Sequence, residues 1–228
     1  FHHAMISLGH KHGLHVTIID DSVVREPNLV RQRFWPCDLG QYKAISLANR
    51  YNLLLGMKWE GLPYRFPSRA TDDAIGKADL IISAVDLPSA RVAIGACEAV
   101  KHNCMWLDLG NGHRHGQVVF GGINKVMRDR FPNVLDAYPE IPLLEDDHTK
   151  SCSTAESIRT QDCLVNRAVT TAGMGIVWEL LRTGETSKHW LVLNLGTGEQ
   201  MSYPFPPPAP KQPKATGKKG KVSKLRKV

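Results

Sequence analysis

The chain has 228 residues with 42% hydrophobic content, enough for one sizeable core, and no run of apolar residues long enough to span a membrane. Its formal net charge of +7 is not spread evenly: residues 209–228 hold seven lysines, one arginine and no acid, leaving 21 basic against 22 acidic residues elsewhere. Five cysteines, an odd number without a C-x-x-C pair, argue against a disulfide framework or a four-cysteine zinc site, and point to a reducing cytoplasm.

In chain order, "FHHAMISLGH" reads as the last turns of a helix ending near Gly9, with His2 and His3 lacking an evident partner. Leu14 to Asp20 is a β-branched apolar run ending in carboxylates, the pattern of a buried parallel strand. Residues 38–56 predict a helix capped by Asp38 and stopped by Gly56. Strands are expected at 59–66, 78–86, 104–110 and 116–122, with a helix over 89–102. From Ile123 to Ser151 there is no clear period, so a crossover or flexible loop is expected. A helix over 161–181 precedes a hairpin at 189–203 that turns at Gly196-Thr197-Gly198. Strands alternating with helices imply an α/β domain over 1–203 with a mostly parallel sheet. Residues 204–228, Pro-rich and then Lys-rich, form a tail unable to build a core, either a plain solubilising terminus or an arm for nucleic acid or an acidic partner.

In open α/β sheets, ligands bind beyond the carboxyl ends of the strands, where Asp20 and Asp86 both fall. A carboxylate there accepts hydrogen bonds from ribose hydroxyls, arginine and lysine offer charge to phosphates, and a second carboxylate can hold Mg²⁺. Asp20, Asn28, Arg31, Gln32, Lys43 and Asp86 therefore outline a nucleoside triphosphate site. Each also has a plain structural reading: Asp20 as a turn cap, Arg31 and Lys43 as solvated charges. His113 and His115, in "GHRHG", make no metal signature.

The stretch "IDDSVVREPNLVRQRFWPCDLGQYKA" resembles the adenylation motif of the ThiF/MoeB/HesA family, relatives of ubiquitin-activating enzymes. "ISAVDLPSARVAI" and "GQVVFGG" resemble the family's next two segments in order and spacing, and the likeness spans about residues 1–203. Within the family, "HAMISLGHKHGLHVTIIDD", "WLDLGNG" and "SCSTAESIRTQDCLVN" are most similar to the ThiF-type protein of the PRTRC cassette. The resemblance implies a Rossmann-like ThiF/MoeB adenylation fold with helices on both faces of the sheet. It implies ATP and Mg²⁺ as cofactors, with Asp20 on the ribose, Asn28, Arg31 and Gln32 along the phosphates, Lys43 on the triphosphate and Asp86 on the metal.

The implied reaction adenylates the C-terminal carboxylate of a small ubiquitin-like or sulfur-carrier protein, carried out by a homodimer to which the helix over 168–181 contributes. A tRNA-borne carboxylate is another substrate compatible with the fold. The alternative outside catalysis is a nucleotide-binding adaptor that reaches DNA through the basic tail. Cys152 resembles the cysteine that accepts the acyl group in ubiquitin-activating types, with Lys150 nearby to favour its thiolate; its plain reading is a small residue packed at a helix start. Cys37, Cys97, Cys104 and Cys163 are expected to be ordinary semi-buried residues. Two departures stand out: Ser22 replaces the second aspartate of the family's D-x-D, and the zinc-binding cysteine pairs of MoeB-like members are missing. The family's first strand and Gly-rich loop would precede Phe1, so the sequence reads as N-terminally incomplete, with an expectation of weak ATP binding.

Overall fold

The computed structural model describes residues 1–146, 162 and 164–207. Cys152, Lys150, Cys163 and the basic tail lie outside the described residues. Among the described residues no helix is long and apolar enough to cross a membrane.

The chain begins with a short helix, α1 (His2–Ser7), whose His2 is not partnerless: the Leu14 N–H donates to His2 Nδ1 at 3.0 Å. Strand β1 (Thr17–Ile19) pairs in parallel with β2 (Glu60–Leu62). Between them lie α2 (Glu26–Arg31) and α3 (Lys43–Leu55), the latter closed by Gly56 at φ 64°. A left-handed terminus of this kind favours glycine because it has no Cβ. After α4 (Asp72–Lys77) comes β3 (Leu80–Ser83), then α5 (Pro88–Gly95), and then β4 (Met105–Asn111) and β5 (His115–Gly122). Short helices α6 (Lys125–Arg128) and α7 (Val134–Ala137) precede the long α8 (Val165–Thr183) and the hairpin β6 (Lys188–Asn194) and β7 (Glu199–Pro204).

The strands form two sheets: β1-β2, and a five-stranded sheet in the order β3-β4-β5-β6-β7. The α/β class with helices on both faces is the one the sequence implied. The expected mostly parallel sheet is instead mixed, parallel at β1-β2 and β3-β4 and antiparallel from β4 through β7. The short links β4-β5 and β6-β7 force those two pairs to be antiparallel, since a parallel pair needs a long crossover.

Period-2 alternation sorts the large sheet's side chains into two cores. On one face Leu107, Val118, Phe120, Leu191 and Leu193 pack against Val165, Val169, Ile176 and Val177 of α8. On the other, Trp106 and Val119 pack against Ile94 of α5, Val134 of α7 and Ile123. That second core decides between the crossover and the flexible loop expected over 123–151: the described part is a packed crossover. Asn133, 1% exposed, accepts the Leu135 N–H at 2.9 Å and donates to the Gly122 carbonyl at 2.8 Å. Single helical turns held by polar caps leave no hydrophobic period to read.

Boundaries also move: the helix expected over 89–102 ends at Gly95, and the strand expected over 59–66 is only Glu60–Leu62. The helix expected from Asp38 begins at Lys43, because the chain turns at Gly40, with φ 79°, and Tyr42 bridges to Val23 before the helix starts. Asp38, 7% exposed, instead accepts the Trp35 N–H at 2.8 Å and pairs with Arg50. Phe205, assigned by sequence to the tail, packs its ring 5.1 Å from that of Phe131 and 4.8 Å from that of His189. Cys37 is exposed and Cys104 fully buried, so only Cys97 keeps the intermediate burial expected of these three.

Candidate nucleotide site

The first half of the site is a stitched turn at the carboxyl end of β1. Asp20 follows the strand and curls back on its neighbour: the Ser22 N–H and hydroxyl donate to Asp20 Oδ1 at 2.8 and 2.5 Å. Among the described residues Asp20 Oδ2 accepts no hydrogen bond. The next residues pair with the approach to α3, through Val24 N–H to the Gln41 carbonyl at 2.8 Å and Gly40 N–H to the Val24 carbonyl at 3.0 Å. The Lys43 N–H closes the clasp on the Ser22 carbonyl at 3.0 Å. Asp20 and Lys43 are therefore held together through the two ends of one serine. Ser22, the departure from D-x-D, supplies both the hydroxyl that orients Asp20 and the carbonyl that anchors Lys43.

Asn28 has a structural task that the sequence reading did not assign: its Oδ1 accepts the Arg25 N–H at 2.9 Å and closes the turn into α2. Gln32 is exposed just beyond that helix.

The second half lies on the other sheet. Asp86 is exposed in the four-residue loop 84–87 between β3 and α5. No backbone pairing joins β1 to β3 among the described residues, so Asp86 and the Asp20 turn follow strands of different sheets. Beneath the loop runs a buried polar network. The Trp106 indole N–H donates to Ser83 Oγ at 2.7 Å, and the Ser83 hydroxyl donates to Asp108 Oδ1 at 2.6 Å. Arg91 Nε–H is shared between the two oxygens of Asp108, each at 3.0 Å. Burial pushes the Asp108 carboxyl above its usual range, against the pull of Arg91 and Ser83. Nearby on the same face, Tyr138 donates to Gln117 Oε1, and burial pushes its phenol up to about 12. Sequence reading missed this network, although an aspartate inside the apolar strand "MWLDLG" is an irregularity that demands a buried partner.

The donor set fits the groups the sequence implied. Among the described residues no group of three or more His, Cys, Asp or Glu could hold a metal ion unaided. An exposed carboxylate such as Asp86 suits Mg²⁺, which keeps several waters and takes further oxygens from substrate phosphates. Asp20, with Oδ2 unpartnered at a strand end, suits a ribose hydroxyl donor.

Residues 4–183 match the ThiF family. Among curated proteins, none matches the sequence. Similar solved structures include E. coli MccB with ATP, at 13% identity and a TM-score of 0.58 over 90% of this chain and 60% of that one. MccB with N-formylated MccA aligns at 13% identity and a TM-score of 0.56, over 90% of this chain and 61% of that one. PaaA aligns at 15% identity and 0.57, over 88% and 59%. The chain thus spans about 60% of the length of these structures. Since the family match runs over well more than half of its residues, the chain belongs to the ThiF family.

Proposed function

We propose that the chain forms the nucleotide site of an enzyme that uses ATP to adenylate the terminal carboxylate of a peptide or small protein. The observation that carries this reading is the clasp that fixes Asp20 and Lys43 on Ser22 at the end of a parallel strand. It ties the backbone of a lysine and the carboxylate of Asp20 to one serine, and a cation and a hydrogen-bond acceptor are what phosphates and a ribose require. Family membership and the fold shared with MccB, solved with ATP in one structure and with N-formylated MccA in another, support it.

In this reading Asp20 Oδ2 accepts from the ribose, and the Asn28 amide N–H groups, Arg31 and Gln32 line the phosphates. Lys43 neutralises charge on the departing pyrophosphate, and Asp86 holds Mg²⁺. A carboxylate oxygen attacks the α-phosphorus, the bond to pyrophosphate breaks, and an acyl-adenylate results. The chain's contribution is position and charge rather than covalent chemistry. A small ubiquitin-like or sulfur-carrier protein is the substrate the sequence motifs favour, with Cys152 as the acceptor of a second step and a homodimer as the assembly.

The test is exchange of labelled pyrophosphate into ATP by the protein as its gene encodes it, with peptides and small carrier proteins supplied singly. Exchange that depends on one carboxylate donor and drops ~10²–10³-fold in Lys43→Ala is expected. Tight ATP binding with no exchange for any donor would favour the nucleotide-binding adaptor instead.

A further inference from the structure

Asp108 binds both ends of the segment that carries Asp86. Ser83, the last residue of β3, donates to it from one side at 2.6 Å, and Arg91, the fourth residue of α5, donates from the other at 3.0 Å. Strand pairing places Ser83 directly opposite Asp108, so the carboxylate sits under the root of the loop. Only residues 84–87 span the gap. Asp108 is 1% exposed and Arg91 12%, and Trp106 closes the network by donating to Ser83. A second tie lies outside: the Ser89 N–H and hydroxyl donate to Asp146 at 3.0 and 2.5 Å, fixing the first turn of α5 to the end of the described crossover.

A buried ion pair adds little net stability compared with apolar residues of the same shape, so its presence calls for another account. We propose that Asp108 is a positioning residue for Asp86: it fixes strand end and helix start to one anchor, so that the loop between them presents its carboxylate in one orientation. This rests on the reading of Asp86 as a metal carboxylate. Precise presentation matters there because Mg²⁺ demands near-ideal octahedral geometry, and groups that orient a metal's ligand are worth about 10–100-fold in metal affinity.

The experiment compares wild type with Asp108→Asn, which keeps the shape but not the charge, and Arg91→Lys, which keeps the charge but not the Nε–H that Asp108 accepts. Arg91→Lys carries the test if Asp108→Asn does not fold. Amide hydrogen exchange is followed over residues 84–91, with β5 and β6 as internal reference. Exchange in the loop at least ~10-fold faster, with β5 and β6 unchanged, is expected. Loop exchange at the wild-type rate overturns the proposal, and so does equal acceleration in β5 and β6, which would make the pair merely structural.

In parallel, calorimetry titrates Mg²⁺ into the protein saturated with a non-hydrolysable ATP analogue. The midpoint should rise about 10-fold in each variant, while metal-free nucleotide affinity stays at the wild-type value. Absence of any Mg²⁺ dependence in wild type overturns the metal role of Asp86 itself, separately from the loop's behaviour in the exchange data.

Discussion

Gly61 in the middle of β2 lies so close to Ala44 in the first turn of α3 that a Cβ built on it would fall 2.6 Å from the Ala44 carbonyl oxygen. The contact is backbone against backbone, so no side chain can turn aside to make room. It seats the start of α3 on the small sheet, one residue from Lys43.

Gly61→Ala must therefore push α3 away from β2 and loosen the clasp between Ser22 and Lys43. Destabilisation by ~1–3 kcal/mol in urea unfolding is expected, as for other forced overpacking. ATP affinity should fall as well, although alanine at 61 removes no group that touches nucleotide. Lys43→Ala should lower ATP affinity at nearly unchanged stability, since Lys43 is partly exposed on the surface of α3. Equal stability losses in the two variants would contradict this account of the seat.

Asp108 and Arg91 bear on stability as a pair. Asp108→Ala leaves a cation 12% exposed without its carboxylate, and a loss of ~3–5 kcal/mol is expected. The double variant Asp108→Leu/Arg91→Met should recover most of that loss, because an apolar pair fills the same space without desolvated charge. Chemical denaturation of the single and double variants measures both. Recovery of stability without recovery of Mg²⁺ affinity would separate what the pair does for the fold from what it does for the loop.

How much of this was legible in the sequence depended on the range of the interaction. Strand β1 and the carboxylate after it follow from a short β-branched run, and the order of strands and helices from alternation. Asp20, Asn28 and Lys43 could be named, but not their local bonds to Ser22 and Arg25, which are set by turn geometry rather than by period. The crossover held by Asn124 and Asn133 showed no period at all, since each helix there is a single turn. Arg91 and Asp108 are 17 residues apart on different elements, and only the register of β3 against β4 brings them together. Phe205 was hidden by its neighbours: flanking prolines read as tail, yet its ring completes a cluster with Phe120, Phe131 and His189.

The thiols offer a test of burial that needs no nucleotide. Cys37 is exposed, whereas Cys104 is fully buried, and burial, aided by the charge of Asp79, pushes its thiol up to about 11. At pH 8 such a group is on the order of 10⁻³ thiolate even before access is considered. Alkylation of the native protein followed by peptide mass spectrometry should label Cys37 readily and leave Cys104 unmodified. Adding urea past the unfolding midpoint should bring Cys104 to the rate of Cys37. Labelling of Cys104 in the native state would mean that the β4 face opens far more often than its packing implies.

Asp136 supplies the pH dependence. Burial works against its ionised form, but Arg128, donating at 2.5 and 3.1 Å, and the Asn133 N–H, donating at 2.8 Å, outweigh it and hold the carboxyl below its ordinary value. A carboxylate whose folded pKa is depressed stabilises the fold above its unfolded pKa, and loses that contribution as pH falls through the folded one. Asp136→Asn should then be less stable than wild type at neutral pH, with the gap closing below the ordinary carboxylate range near pH 4. Asp108 runs the other way, since its folded pKa is raised: the cost of ionising it grows as pH rises above that same range and is absent in stronger acid. Urea titrations of wild type and Asp136→Asn from neutral pH into acid measure the closing gap directly. A gap that stays constant would mean that Asn133 and Arg128 act on the 136 side chain through shape alone, with its charge irrelevant to how α6 and α7 are held on the sheet.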